Sequence, residues 1–287
     1  MNRSFLFVPA DSDRKLAKAG DAGADALILD LEDAVAADAR PIARQNAAEY
    51  LKGKDNVWVR INPFDSEDAE ADLEAVLPSA PSGIVLPKPK SAADVIALSR
   101  RLDALEQQLG IEQGHTRIIA LCTERPEALF SLRGYAGATE RLFGLSWGAE
   151  DLSSAIGASN NRDAGGNWLP LYEMARSFCL LAAAAAEVTA LDTVFTDFRD
   201  NEGLLRYAEN ARRDGFRGML AIHPAQVEVI NAAFLPTVAE IEWAKRIVAL
   251  FAENPGAGTL GMDGKMIDRP HLIQAQRLLT LTQRKQN

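Results

Sequence analysis

A chain of 287 residues, 47% hydrophobic and 25% charged, is long enough to bury one large core and too ordinary in composition to be disordered. Its 31 basic and 40 acidic residues leave a net charge of -9, which excludes a general nucleic-acid binder, although a few arginines in a pocket could still bind a carboxylate. Cys122 and Cys179 are spaced for neither a zinc site nor a disulfide framework and read as buried, reduced thiols. Met1–Ala10 lacks a basic leader, and Phe178–Leu191 is too short to span a bilayer and carries Glu187. The expectation is a cytoplasmic protein that binds neither membrane nor nucleic acid.

Short aliphatic runs alternate with longer helix-patterned segments, the signature of βαβ units on a parallel sheet. Eight runs are expected as strands: Phe5–Val8, Ala26–Leu29, Val57–Ile61, Gly83–Leu86, Ile118–Leu121, Arg141–Leu145, Thr193–Phe195 and Gly218–Ile222. They are nearly continuous in apolar residues, as strands covered on both faces must be. Ala92–Leu109 and Glu202–Asp214 are expected as helices, and Phe178–Leu191 as an alanine-rich helix packed on the sheet. The repeats fit a closed (β/α)8 TIM barrel over residues 1–235. The alternative, an open doubly wound sheet, would want a glycine-rich loop after the first strand, where Pro9, Ala10 and Asp11 stand. Residues 236–287 form a C-terminal extension. The glycines of Phe251–Lys265 mark a mobile loop, and a last helix, Arg269–Gln283, takes Asp268 as N-cap and Pro270 in its first turn. Being surplus to a barrel, this tail reads as a lid helix or an oligomer arm.

Barrel enzymes carry their chemistry at the C-terminal ends of the strands. There the chain places Asp30, Glu32 and Asp33, then Arg60 and Asn62, Lys88, Thr123 and Glu124. Trp147, Gly148, Glu150 and Asp151 come next, followed by Thr196, Asp197 and Asp200, and last His223 and Pro224. A ring of carboxylates without a histidine or cysteine cluster suits a hard cation such as Mg²⁺, with Mn²⁺ as a substitute, rather than zinc. Blander roles stand beside these. Glu124 could cap the helix that Pro126 begins, and Asp151 could cap one at Leu152. Arg60 could bridge to Asp30 or Glu32, His223 could be a hydrogen-bonded wall residue, and Glu67–Glu74 could be only a solvated helix face.

The segments Arg3–Pro9, Leu29–Val35, Val59–Asn62, Leu86–Lys88, Gly144–Asp151, Gly218–Gln226 and Met266–His271 resemble, in order along the chain, the citrate lyase β-subunit family. That family includes malyl-CoA and citramalyl-CoA lyases and is related to the hydroxy-acid aldolases. The resemblance implies a barrel whose C-terminal lid reaches over a neighbouring subunit's site, in homotrimers or hexamers. It implies Mg²⁺ on Glu124 and Asp151, Arg60 binding the oxo-acid half and polarising its oxygen, and Asp268 moving the proton at the thioester α-carbon. The expected reaction cleaves or forms a short β-hydroxyacyl-coenzyme A thioester. An aldolase on a free 2-oxo acid, a malyl-CoA-type thioesterase and a non-catalytic subunit are the alternatives. Glu32, Asp33, Lys88, Trp147, Gly148 and Glu150 are expected to line the substrate site with Arg60, and Phe7, Arg14, Lys18, His223 and Pro224 to meet coenzyme A. One departure stands in Cys122-Thr123-Glu124-Arg125-Pro126. The family has a small residue after its acid, so Arg125 is expected to narrow the pocket or bind a further carboxylate.

Overall fold

Strands buried on both faces need a partner on each edge, and eight of them here hydrogen-bond in chain order into a closed parallel barrel. The computed structural model describes residues 2–283; Met1 and residues 284–287, the ends of the two expected domains, lie outside the described residues. The strands are β1 (Ser4–Pro9), β2 (Ala26–Asp30), β3 (Val57–Arg60), β4 (Gly83–Leu86), β5 (Arg117–Leu121), β6 (Leu142–Ser146), β7 (Thr189–Asp192) and β8 (Gly218–Ala221). The helices are α1 (Asp13–Ala19), α2 (Arg40–Leu51), α3 (Asp68–Val76), α4 (Ala92–Leu109), α5 (Pro126–Leu129), α6 (Ala149–Ala155), α7 (Pro170–Ala185), α8 (Asn201–Asp214) and, after β8, α9 (Pro224–Ala233).

Register stacks the barrel interior in layers. Ile28 pairs with Trp58, and two residues on, on the same face of each strand, Asp30 pairs with Arg60. The lower layer is apolar, with Phe5, Ile28, Trp58, Val85 and Ile119 in one buried cluster. The Trp58 ring centre lies 6.1 Å from Phe5, edge to face, and 5.1 Å from Phe143, tilted. Trp58 fits because its neighbour is Gly83, where a Cβ would lie 2.2 Å from the indole. The upper layer, Asp30 and Arg60, is polar, so the apolar plug ends where the mouth begins.

Seven expected strands fall where the sequence places them. The seventh does not: β7 is Thr189–Asp192, not Thr193–Phe195, and the expected helix Phe178–Leu191 splits into the end of α7 and this strand. The break is made by Glu187 in the left-handed region at φ 56°, without glycine or proline. Thr196, Asp197 and Asp200 therefore stand beyond the strand end, and Asp200 caps α8 through Gly203 N. Nor is Glu67–Glu74 only a solvated face. Asp72 on α3 is fully buried and accepts from Arg44 Nε (2.7 Å), Asn62 N (2.8 Å) and Asn62 Nδ2 (2.8 Å). Cys122 and Cys179 are free and buried.

Residues 233–283 form a second compact unit. Its α10 (Val238–Glu253) starts with a capping box between Thr237 and Glu240. The mobile loop expected over Phe251–Lys265 is instead the end of α10 followed by a hairpin, β9 (Thr259–Met262) and β10 (Lys265–Asp268). Asp263 and Gly264 both take positive φ (52° and 73°), the requirement of a tight two-residue turn. The last helix, α11 (Arg269–Gln283), shares with α10 and β10 the cluster Ala244, Ile247, Phe251, Ile267 and Ala275. Among the described residues no helix is long and apolar enough to cross a membrane.

Candidate active site

Asp30 anchors the mouth. Its oxygens accept Arg60 Nε (2.7 Å) and Nη2 (2.6 Å), a two-point fork, and also Glu32 N (3.0 Å), which turns the chain after β2. Nη1 of Arg60 points on to Glu32, 3.1 Å from Oε2, and the guanidinium lies over the Phe7 ring at 4.7 Å. Burial disfavours the Arg60 cation, but Asp30, Glu32 and Glu124 outweigh it and hold its pKa above the ordinary arginine value. The bridging role expected of Arg60 is therefore present, and the same bridge fixes where Nη1 points.

Lys88, after β4, ties together three other strand ends. Its Nζ lies 2.6 Å from Glu32 Oε1, 2.8 Å from Asp33 Oδ2 and 3.2 Å from Asp151 Oδ1. Its backbone N–H donates to Glu124 Oε2 at 2.7 Å, from a left-handed conformation at φ 51° that non-glycine residues seldom adopt. Glu124 is thus no helix cap: α5 has Arg125 as N-cap, and the Glu124 carboxyl turns to β4. Asp151 is no N-cap either, since Gly148 holds that position for α6 and Asp151 sits within its first turn. Gly148 has a steric reason to be glycine: a Cβ there would lie 2.5 Å from Glu124 Cγ and 2.7 Å from Oε1.

The cluster is electrostatically costly to leave charged. Burial, with Asp151 and Glu32 adding repulsion, raises the Glu124 pKa well above the carboxylate range. Burial pushes Glu32 up to about 7, although Arg60 and Lys88 pull it down. Glu32 Oε2 is buried and lies near Arg60 Nη1 without the alignment of a hydrogen bond, so it has no donor. Burial also works against the Lys88 ammonium, yet Glu32, Asp33 and Asp151 hold it above the ordinary lysine value.

The corrected β7 puts Asp192 at the strand end, fully buried, where the sequence reading did not look. Its Oδ1 accepts Trp147 Nε1 (2.7 Å) and Tyr207 OH (3.0 Å), and its Oδ2 accepts Arg176 Nε (2.9 Å) and Nη2 (2.7 Å). Asp192 thereby fixes Trp147, the residue before Gly148. Arg176 and Tyr207 also line a cavity of about 440 Å³ with Arg162, Trp168, Asn210 and Asp214, beside α7 and α8, and Glu32, Asp33, Glu124 and Asp151 are not among its lining residues.

The remaining expected residues are exposed or held by local partners. Glu150 is exposed and accepts Asn161 Nδ2 (2.9 Å). Arg14 and Lys18 are exposed on α1. His223 stacks on Phe198 at 4.8 Å, and its Nδ1 accepts Ala225 N (3.2 Å) at the start of α9, whose first residue is Pro224. Arg125 is held by Asp65 through two bonds (3.0 and 2.8 Å), so the carboxylate it binds is the chain's own. Asp268 belongs to the C-terminal unit, where its Oδ1 lies 2.5 Å from His271 Nδ1.

The model of the HpcH/HpaI aldolase/citrate lyase family matches residues 3–224. The chain belongs to that family. The matched stretch takes in every mouth residue above and ends at Pro224, before Asp268. Whole-chain relatives extend further. A citrate lyase subunit beta-like protein of Mycobacterium tuberculosis is 36% identical over 96% of this chain and 93% of its own. A (3S)-malyl-CoA thioesterase of Cereibacter sphaeroides is 36% identical with the same coverage. The crystal structure of Mycobacterium tuberculosis CitE in complex with magnesium, acetoacetate and coenzyme A is 34% identical, covers 97% of each chain and has a TM-score of 0.83.

Proposed function

We propose that this family member is a Mg²⁺-dependent carbon–carbon lyase that interconverts a short β-hydroxyacyl-coenzyme A of the malyl, citramalyl or citryl type with an oxo acid and an acyl-coenzyme A. The observation that carries the reading is the meeting of Glu124, Asp151 and the forked Arg60 at one barrel mouth. The related CitE bound to magnesium, acetoacetate and coenzyme A supports it. The residues fit a hard cation. The donors are all carboxylate oxygens, Glu32 Oε2 has no donor, and Gly148 leaves the Glu124 carboxyl room that a Cβ would fill. Among the described residues no group of three or more His, Cys, Asp or Glu forms an all-protein cage. Two carboxylates completed by water and substrate are the usual Mg²⁺ arrangement. Glu124 and Asp151 would hold the ion, which as a Lewis acid and template would polarise the oxo-acid oxygens.

The chain's own groups account for the rest. Arg60, oriented by Asp30 and Phe7, presents Nη1 to the oxygen whose charge changes as the carbon–carbon bond breaks. As the β-hydroxyl gives up its proton to solvent and becomes the oxo group, the bonding pair passes to the thioester α-carbon, and Asp268 in its acid form protonates the resulting enolate; in the condensation direction its carboxylate removes that α-proton and solvent returns one to the oxygen. In this reading residues 1–235 are the catalytic barrel, and residues 236–287 are a lid that serves a neighbouring subunit of a homo-oligomer. Mg²⁺ with malyl-, citramalyl- or citryl-coenzyme A, followed by product identification, tests it. Oxo acid plus acyl-coenzyme A is expected. Free hydroxy acid plus coenzyme A would replace the lyase by a thioesterase, the activity named for the Cereibacter relative. Turnover of a free hydroxy-oxo acid alone would replace it by an aldolase.

A further inference from the structure

The mouth holds two cations of different kinds. Arg60 is clamped: its fork is taken by Asp30 and its plane rests on Phe7. Lys88 is a compact charge on a flexible stem, and its three carboxylate neighbours follow two different strands, Glu32 and Asp33 after β2 and Asp151, in the first turn of α6, after β6. It touches both residues given the metal, Glu124 through its backbone N–H and Asp151 through its ammonium. The Asp151 contact, at 3.2 Å, is the longest of its three ion pairs.

We propose that the Lys88 ammonium is a resident counter-cation that competes with the divalent ion for Asp151, so that the ion loads as the ammonium withdraws onto Glu32 and Asp33. The inference rests on the divalent ion of the proposed function. Two cations that share one carboxylate repel each other strongly in a half-buried site. Withdrawal is feasible because Glu32, at 2.6 Å, and Asp33, at 2.8 Å, still pair the ammonium, so no buried charge is stranded. The amide that steadies Glu124 is main chain and stays in place. Lys88 thereby sets how tightly the mouth binds a divalent ion before any substrate arrives.

Calorimetric titration of the full chain with MgCl₂ at about pH 8, without oxo acid, tests this, with Mn²⁺ electron paramagnetic resonance as a second measure of bound ion. Lys88→Met, which keeps the backbone donor, should bind at least about tenfold more tightly than the parent chain. Lys88→Gln serves if the methionine variant does not fold, and Lys88→Arg should bind no more tightly than the parent. Equal or weaker binding in a folded Lys88→Met or Lys88→Gln overturns the proposal. If the parent binds Mg²⁺ in a way that Glu124→Ala abolishes, only the competition falls. If neither the parent nor the Lys88 variants bind Mg²⁺ or Mn²⁺, the metal reading falls with it.

Discussion

Adding one methyl group at Gly148 should disable the Glu124 carboxyl. The Cβ of Gly148→Ala would stand 2.5 Å from Glu124 Cγ and 2.7 Å from Oε1, against the roughly 3.5–4.0 Å of a comfortable carbon contact. Either Glu124 moves by about 1 Å or the loop before α6 does. Moving Glu124 breaks its 2.7 Å bond from Lys88 N and leaves a buried donor without its acceptor, at about 1–3 kcal/mol. Residual overpacking adds about 1–3 kcal/mol. The expected loss of stability is therefore about 2–6 kcal/mol, with Mg²⁺ binding weakened at least about tenfold. Backbone strain adds nothing, since Gly148 has φ -123° and ψ 111°, open to any residue. Urea denaturation of the parent, Gly148→Ala, Glu124→Ala and the double variant, with a Mg²⁺ titration of the first two, measures this. With Glu124 truncated the methyl meets little, so its cost should fall to about 1 kcal/mol or less. A cost under about 1 kcal/mol in the parent, or an equal cost in both backgrounds, refutes the collision.

Arg60→Lys keeps the charge but loses the fork onto Asp30, and turnover of the preferred thioester should drop about 100-fold or more; near-normal turnover would leave Arg60 a structural bridge only. Glu32, pushed up to about 7 from an ordinary 4.5, stabilises the fold fully below about pH 4.5 and loses that contribution as pH rises through 7. In chelator-treated buffer the parent should therefore lose about 2–3 kcal/mol relative to Glu32→Gln between pH 4.5 and 8, read from urea midpoints, and parallel profiles would contradict it. Asp192→Asn uncharges the buried partner of Arg176 and should cost about 3–5 kcal/mol of unfolding free energy; a loss below 1 kcal/mol would show that the hub is not structural. Asp268→Asn and Glu124→Ala chains, each inactive alone, should regain activity when mixed if the lid serves a neighbouring subunit, and no recovery despite proven subunit exchange would rule out that sharing.

The barrel was legible because strands covered on both faces show as aliphatic runs, and the mouth followed because polar residues close those runs. β7 was hidden for a local reason. The turn before it is made by Glu187 at positive φ, so alanine, valine and leucine run from helix into strand without punctuation. Asp192 was lost with it, since a carboxylate is read as functional only once it is placed at a strand end. Asp72 hid inside an acidic helix, where sequence shows charge but not which member faces inward. The hairpin was signalled by Asp263-Gly264, but the density of glycines around it suggested a loop instead. The bridge from Arg60 to Asp30 or Glu32 was legible because both acids close the neighbouring run, and the register of β2 on β3 sets Arg60 directly beside Asp30.

The amide that steadies Glu124 belongs to the main chain of Lys88, so a mutational scan of side chains at that position cannot delete it. What a scan can disturb is the left-handed turn that aims it. Glycine, asparagine or aspartate would adopt that turn readily, whereas valine or isoleucine would resist it and tilt the amide away. The residues permitted at position 88 are thus filtered twice, once by backbone shape and once by charge, and lysine satisfies the second filter while tolerating the first. An amide-to-ester replacement at this peptide bond would separate the two, removing the donor and leaving every side chain in place.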